Sequence, residues 1–195
     1  EETTQHLNNA VGVTRFAFGD HASLVDCCLF AGYFPHQYRD HGSAQRYLKT
    51  EAAALSYYID KMQAAYSAPA SGDLTLTDEF LNYLQYIGPI AAAYAISVKQ
   101  LARPLVEATD PGEKLDLRLA PEIVLYGKPF RRNCGTFSAW KAQRVQDAYD
   151  GLSDNDSKKA DELMTLIGWQ DFLASPTTAR IDRVGFELQR ELHQD

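Results

Sequence analysis

Apolar residues recur at intervals of three and four along most of the chain, and this spacing constrains its fold more than any other feature. In residues 43–67 the recurring positions form one apolar stripe, as an amphipathic helix requires. In residues 87–96 nearly every position is apolar, which is typical of a helix buried on all sides. The sequence therefore predicts an all-α fold, a helical bundle of about six or seven helices.

Start and stop residues divide this pattern into separate helices. The predicted helices span residues 22–34, 43–67, 77–104, 136–152, 156–174 and 177–193. Ser43 and Thr77 are expected N-caps, and Ser153 or Asp154 is expected to cap the fifth helix. Pro35 should end the first helix, and Pro104 should bend or end the third. Gly88-Pro89 should kink or split the third helix, because proline removes a backbone hydrogen bond.

Residues 109–133 interrupt the helical period. Residues 115–119 alternate between apolar and polar, and residues 123–126 are a short β-prone run. We therefore expect one short β-hairpin near 115–126 and a loop at 68–73, where alanine, proline, serine and glycine cluster. The length of 195 residues fits a single helical domain over 1–195, with residues 1–18 as a candidate N-terminal arm.

The charge distribution limits the partners of the chain. The net charge of −7 argues against a simple nucleic-acid or anionic-membrane binder. Residues 99–144, however, carry nine Lys+Arg and five Asp+Glu, between acidic segments on either side. This basic segment could bind an anion or the acidic segments of another copy of the chain. The longest apolar stretch, residues 83–98, includes a glycine and a proline and is too short to span a membrane.

Three of the five histidines and two of the three cysteines lie within residues 21–41. Their spacings match no zinc pattern, since Cys27 and Cys28 are adjacent and His36 and His41 are five residues apart. We therefore predict no metal and no cofactor. An odd number of cysteines cannot be fully paired, which favours free thiols in a reducing compartment. The alternative is an exported helical binding protein in which Cys134 forms one disulfide with Cys27 or Cys28.

Cys134 is also the candidate nucleophile of a thiol-dependent hydrolase. It lies just before a predicted helix start, where unpaired N–H groups lower the pKa of a thiol and can stabilise an oxyanion. This placement is similar to the helix-opening cysteine of papain-like enzymes. Those enzymes have their histidine well downstream, and here only His193 follows the cysteine.

Residues 126–144 interleave aromatic rings with cations, a mixture that holds single-stranded nucleic acid. Cations follow the phosphates in such complexes, while rings stack on bases. The alternative is that the rings face the core and the cations lie at its rim. The candidate nucleic-acid-binding residues are Lys128, Arg131, Arg132, Phe137, Trp140, Lys141 and Arg144.

The stretch from Arg131 to Val145 resembles a segment near the carboxyl end of some helical viral nucleoproteins. Flexuous-filament coat proteins also carry an Arg-x-x-Cys before a core helix, which Arg131 and Cys134 match. The resemblance implies a self-assembling subunit that covers RNA.

No Gly-rich phosphate loop, nucleophile elbow or metalloprotease motif is present in the sequence. We therefore expect a non-enzymatic structural protein that forms a homo-oligomer. Its segment 126–144 would contact an anionic partner such as single-stranded RNA. The hydrolase and the disulfide-bonded binding protein stay open as alternatives.

Overall fold

The computed structural model describes residues 1–64, 75–125, 127–176 and 180–192. The described residues are mostly helical, with three small antiparallel sheets of two short strands each. This confirms the predicted helical fold with a short β-hairpin. The helices are α1 (Glu2–Val11), α2 (Leu24–Tyr33), α3 (Ser43–Glu51), α4 (Ala53–Ala64), α5 (Asp78–Glu107), α6 (Thr136–Asp150), α7 (Asp154–Leu166) and α8 (Gln170–Ala174), and a π-helical segment, Phe34–Arg39, follows α2.

The strands are β1 (Arg118–Leu119), β2 (Glu122–Leu125), β3 (Lys128–Arg131), β4 (Cys134–Gly135), β5 (Ile181–Val184) and β6 (Glu187–Arg190). They pair as β1 with β4, β2 with β3, and β5 with β6. Contacts within the chain divide it into two compact units, Glu1–Ile87 and Gly88–Asp195. The predicted single domain with an N-terminal arm stays a prediction.

The first unit is built around α1, α4 and the start of α5. Leu7, Leu55 and Phe80 are completely buried in its core. Helix α1 was not among the predicted helices, because its sequence is mostly polar and contains few apolar residues. Its buried residues Leu7, Ala10 and Val11 nevertheless lie three and four positions apart, so α1 places one apolar stripe into this core.

A buried carboxylate joins the elements of the first unit. Asp26, on the first turn of α2, is completely buried. Its oxygens accept hydrogen bonds from Ala17 N, Ser23 N, Ser23 Oγ and the Tyr58 hydroxyl, at 2.6 to 2.7 Å. Four donors replace the water that a buried carboxylate loses, which satisfies its hydrogen-bonding capacity without a cation.

Two helix boundaries in the first unit differ from those predicted. The helix expected over 43–67 is broken at Ala52, where Ser56 Oγ donates to Leu48 O and Asn8 Oδ1 accepts from Leu55 N. The Asn8 side chain bonds a backbone N–H at the break, and the Ser56 hydroxyl adds a second donor to Leu48 O, which also accepts from Ala52 N. Pro35 does not end the helical path, because it stands at the start of the π-helical segment, where no backbone donor is needed. The end expected at 67 and the loop at 68–73 lie outside the described residues.

Helix α5 begins as predicted, with Thr77 Oγ1 accepting from Phe80 N at 3.2 Å. It is neither split at Gly88-Pro89 nor ended at Pro104, since it continues to Glu107. A Cβ atom at Gly88 would lie 2.0 Å from the carbonyl oxygen of Ile167. The glycine therefore allows the turn after α7 to approach α5 closely.

The core of the second unit lies between α5, α6 and the strands, with Val98, Val106 and Leu117 among its buried residues. Leu115, Leu117 and Leu119 alternate and are buried, as the pattern in 115–119 indicates. The hairpin, however, is formed by β2 and β3, with Glu122 opposite Arg131 and a left-handed Gly127 (φ 72°) in the turn. The predicted boundaries 115–126 are therefore wrong, and Tyr126 lies outside the described residues.

The carboxyl-terminal helices also differ from the prediction. Ser153 caps α7 through Asp156 N, as expected, but Gly168 (φ 74°) interrupts the helix predicted over 156–174 and separates α7 from α8. The helix predicted over 177–193 is wrong, because residues 181–190 form the β5–β6 hairpin. Gln143 bonds both the N–H and the carbonyl of Ile181, at 2.8 and 3.1 Å. Such long-range bonds override local helix propensity.

Candidate functional site

The candidate nucleic-acid-binding residues all lie in the second unit, on or next to β3 and on α6. Lys128 and Arg131 stand at the two ends of β3, and Arg132 follows it. The other four lie on α6: Phe137, Trp140, Lys141 and Arg144.

The start of α6 is fixed by a buried threonine. Thr136 Oγ1 donates to Leu115 O and accepts from Leu117 N, both at 2.9 Å. Just before it, Cys134 pairs with Leu119 across β4 and β1. These contacts set the position of the cysteine and orient the first turn of α6.

Phe137 has an exposed ring that two neighbouring side chains contact. Its side chain is 56% exposed, and its ring stacks on Trp140 with centroids 5.5 Å apart. Lys141 Nζ lies 5.1 Å from the Phe137 centroid, within cation–π range. Trp140 is half-buried against the core, so it supports Phe137 rather than standing free.

Four of the five candidate cations form no close ion pair with a described residue, although Glu122 lies opposite Arg131 across the β2–β3 hairpin. Lys128, Arg131, Arg132 and Lys141 are exposed, and no described carboxylate lies within 4.0 Å of their nitrogen atoms. Arg144 is different, because it lies 3.6 Å from Asp147. The structure thus leaves Arg144 partly neutralised and the other four available to an anion.

A cavity of about 490 Å³ lies between α5, α6 and α8, and we call it the aromatic cavity. Tyr94, Trp169 and Phe172 supply its aromatic lining. Small apolar residues of α5, including Ala91 and Ala95, leave the space between them. The remaining lining residues are Val98, Arg132, Asn133, Cys134, Ser138, Lys141, Ala142 and Val145.

The polar side of the aromatic cavity is made by Tyr94, Cys134 and Ser138. Burial is the main cause that raises the pKa of Tyr94, and the Cys134 thiol raises it further. The Ser138 hydroxyl and the Arg132 charge act in the opposite direction. A phenol is protonated at neutral pH even without this shift, so the Tyr94 hydroxyl can donate a hydrogen bond to a ligand.

Three candidate residues from the sequence, Arg132, Cys134 and Lys141, line this cavity. The aromatic residues of its lining were not predicted. Tyr94 belongs to the long apolar run of α5, and nothing in the sequence distinguishes it from a core residue. Trp169 and Phe172 reach the cavity because Gly168 turns the chain between α7 and α8. The glycine just before Trp169 is a turn signal, but it does not reveal which element the turn approaches.

Cys134 is a partly exposed free thiol that lines the aromatic cavity. Cys27 and Cys28 are exposed free thiols on α2, so no disulfide links the three cysteines. The described residues of the second unit bring no histidine to Cys134, and His193 lies outside them. The structure thus places a nucleophile in a cavity without placing a general base beside it.

A buried lysine, missed from the sequence, stabilises the end of α8. Lys99 is only 6% exposed, and its Nζ donates to Gln146 Oε1, Phe172 O and Ser175 O at 3.0 to 3.4 Å. The same Nζ lies 4.5 Å from the Phe172 ring centroid. Burial lowers the pKa of Lys99, but three acceptors match its three protons, which makes it a structural cap and not a nucleophile.

The histidines of residues 21–41 do not form a centre. His36 Nδ1, on the π-helical segment, lies 3.8 Å from Asp40, and His41 contacts Gln45. Over the described ranges, no three His, Cys, Asp or Glu side chains group closely enough to hold a metal ion. The same ranges contain no helix that is long and apolar enough to cross a membrane.

No family model, curated protein or solved structure matches this chain. The functional proposal therefore depends on the geometry of the second unit.

Proposed function

We propose that the protein is a non-enzymatic, self-associating structural subunit that binds single-stranded RNA. The contact is the basic-aromatic surface, which we define as Lys128, Arg131, Arg132, Phe137 and Lys141. Trp140 stacks on the Phe137 ring, and Arg144 adds a further, partly neutralised cation on α6.

The observation that carries the proposal is the exposed Phe137 ring, which stacks on Trp140 and lies within cation–π range of Lys141. An aromatic ring that is more than half exposed and held in place can stack on a base at little entropic cost. The surrounding segment 118–144 carries six Lys+Arg and one Asp+Glu. Cations that form no close ion pair with a described residue, beside an ordered ring, supply both the phosphate contacts and the stacking contact that single-stranded RNA needs.

Self-association is supported by charge segregation and by one hairpin. Residues 145–192 carry ten Asp+Glu and five Lys+Arg, opposite in sign to segment 118–144. Phe186, at the tip of the β5–β6 hairpin, is 100% exposed, and the neighbouring Val184 is also exposed. Two exposed apolar side chains at a hairpin tip, in a chain whose segments carry opposite charge, are a suitable contact for a second copy.

The test is binding of fluorescein-labelled single-stranded RNA, followed by anisotropy at several salt concentrations. Affinity should fall steeply with salt, since each neutralised phosphate releases a counterion. Arg131→Gln should weaken binding and reduce the salt slope by about one. A protein that ignores oligonucleotides at low salt would overturn the proposal.

Lys158→Gln is the matched control. Lys158 is an exposed cation of the second unit, on α7, outside segment 118–144 and without a described ion pair. Its loss removes the same unit of charge as Arg131→Gln. Equal losses of affinity in the two variants would show that net charge, and not the basic-aromatic surface, governs binding.

A thiol-dependent reaction at Cys134 is the second candidate function, favoured by the position of this thiol in the aromatic cavity. Iodoacetamide at neutral pH tests it, with Cys134→Ser to assign the modified residue. Rapid alkylation of Cys134 relative to the exposed Cys27 and Cys28 would support a catalytic thiol. Slower alkylation of Cys134 would remove this candidate.

A further inference from the structure

We propose that the aromatic cavity binds one nucleotide, with the base inside it and the phosphate on Arg132 and Lys141. This inference rests on the proposed function and assigns part of it to a definite place. The basic-aromatic surface then guides the strand, while the aromatic cavity holds one of its bases.

The size and lining of the cavity fit a flat aromatic group. Its volume of about 490 Å³ is within the range of small-molecule sites. Three aromatic side chains line it, and Trp169 and Phe172 meet edge to face with centroids 5.0 Å apart. Tyr94 and Trp169 are half-buried, so their rings can contact an inserted base, whereas Phe172 is completely buried and packs against Trp169.

The charged residues of the lining have a single sign. Arg132 and Lys141 are exposed, so their charged ends lie on the solvent side of the cavity. No carboxylate is among the described residues that line it. A base in the apolar interior with its phosphate near these cations matches this polarity, whereas an uncharged aromatic ligand would leave both cations unused.

Polar groups inside the cavity can read the edge of a base. The Tyr94 and Ser138 hydroxyls and the Asn133 amide supply both donors and acceptors. A tyrosine hydroxyl is protonated at neutral pH, so that of Tyr94 can donate to a base carbonyl or ring nitrogen. Another cavity, about 450 Å³ and lined by Arg118, Leu119, Ala120, Asn133 and Cys134, shares the Asn133 amide but has no aromatic residue in its lining on which a base could stack.

The experiment is isothermal titration calorimetry at low salt with uridine and adenosine 5′-monophosphates, their nucleosides and inorganic phosphate. We expect each mononucleotide to bind with a stoichiometry of one, and more tightly than its nucleoside or phosphate alone. Ala95→Leu should reduce mononucleotide affinity at least about tenfold, because the added side chain fills the space for the base. Ala93→Leu is the matched control, since Ala93 is an exposed residue of the same helix and is not part of the lining.

Arg132→Gln and Lys141→Gln keep the inference testable if Ala95→Leu fails to fold. Each should lower mononucleotide affinity about tenfold and leave nucleoside affinity unchanged, because the nucleoside has no phosphate. Equal losses for nucleotide and nucleoside would overturn the assignment of the phosphate to these residues.

The outcomes separate the cavity from the proposed function. Tight oligonucleotide binding without mononucleotide binding would overturn the cavity site and leave the basic-aromatic surface as the RNA contact. Mononucleotide affinity that is unchanged in Ala95→Leu would have the same meaning. Mononucleotide binding without oligonucleotide binding would retain the cavity site and overturn the RNA-covering function. Failure of both ligands to bind would overturn both.

Discussion

The Tyr58 hydroxyl donates a 2.7 Å hydrogen bond to Oδ1 of Asp26, and both side chains are completely buried. The same carboxylate accepts from Ala17 N and from Ser23, so one polar group joins α2, α4 and the chain before α2. Burial, followed by the hydrogen bond to Asp26, raises the pKa of Tyr58. This buried pair therefore connects α2, α4 and the preceding chain inside the core of the first unit.

Tyr58→Phe should reduce the free energy of unfolding by about 1 to 3 kcal/mol, because one donor to a buried carboxylate is lost. Tyr38→Phe is the control, since the Tyr38 hydroxyl donates to Asp60 in an equivalent pair at the surface, at 2.6 Å. We expect that control to cost less than about 1 kcal/mol. Urea unfolding followed by circular dichroism measures both, and equal losses would contradict the central role of the buried pair.

Alkaline pH should destabilise the protein through Tyr83. Burial raises the pKa of this 9% exposed tyrosine from 10.0 to about 12. Between these values the unfolded chain loses the proton while the folded chain keeps it, so the contribution is fully present below pH 10 and is lost as pH approaches 12. The free energy of unfolding from Tyr83 should fall by up to about 3 kcal/mol across this interval.

Urea midpoints measured at increasing pH, with tyrosinate absorbance recorded in parallel, test this prediction. Tyr83→Phe should flatten the decline above pH 10, because phenylalanine does not ionise. The raised pKa of Tyr58 gives a decline of the same sign, so the two single variants must be compared. An unchanged decline in Tyr83→Phe would remove Tyr83 as a cause.

Gly88→Ala should destabilise the second unit. The new methyl group would meet the Ile167 carbonyl oxygen at 2.0 Å, so α5 and the turn after α7 would have to separate. Overpacking of this kind costs about 1 to 3 kcal/mol. Gly32→Ala, in α2, adds the same methyl group where no atom lies within 4 Å and should be neutral or stabilise by up to about 1 kcal/mol. Thermal unfolding compares the two, and a neutral Gly88→Ala would refute the close approach.

Phe137→Leu should weaken binding of single-stranded RNA while the fold is kept. Leucine retains an apolar side chain at this exposed position but removes the ring that stacks, a contact worth about 1 to 3 kcal/mol per base. Anisotropy titrations at a fixed salt concentration measure the loss. Phe130→Leu, at an exposed position of β3, is the control for removing an aromatic ring outside the stacked pair.

Phe186→Ser should reduce self-association without affecting folding, because the Phe186 side chain is completely exposed. Size-exclusion chromatography with light scattering gives the mass distribution of wild type and variant, and the ratio of absorbance at 260 and 280 nm shows bound nucleic acid. Unchanged oligomers in Phe186→Ser would place the contact between copies elsewhere. A monomeric wild type at high concentration would contradict self-association itself.

The helices with local start signals were predictable from the sequence. Thr77 and Ser153 cap α5 and α7 as expected, and α6 begins at Thr136. The predicted N-cap at Ser43 is wrong, because Gly42 holds that position and no side chain caps α3. Elements that depend on distant partners were not predictable. The β5–β6 hairpin is anchored by Gln143, 38 residues before Ile181, and no local pattern carries that information.

The same division holds for the candidate site. The exposed cations and Phe137 were predictable, because charge and ring content can be read from one continuous segment. The aromatic cavity was not, since it needs Tyr94 from α5 and Trp169 from the far side of α7. Gly88-Pro89 illustrates the reason. Its sequence indicates a kink in α5, whereas in the structure these two residues lie against Ile167 and Gly168, in the turn just before Trp169.

The chain contains only two tryptophans, and each stands at one of the two proposed contact regions. Trp140 stacks on Phe137 at the surface, and Trp169 lines the aromatic cavity. Replacing either one with phenylalanine therefore leaves a single tryptophan beside one region, and its emission can be excited selectively over that of the eleven tyrosines. The emission of the two variants can report occupancy of the surface and of the cavity separately, in an unlabelled protein and during assembly.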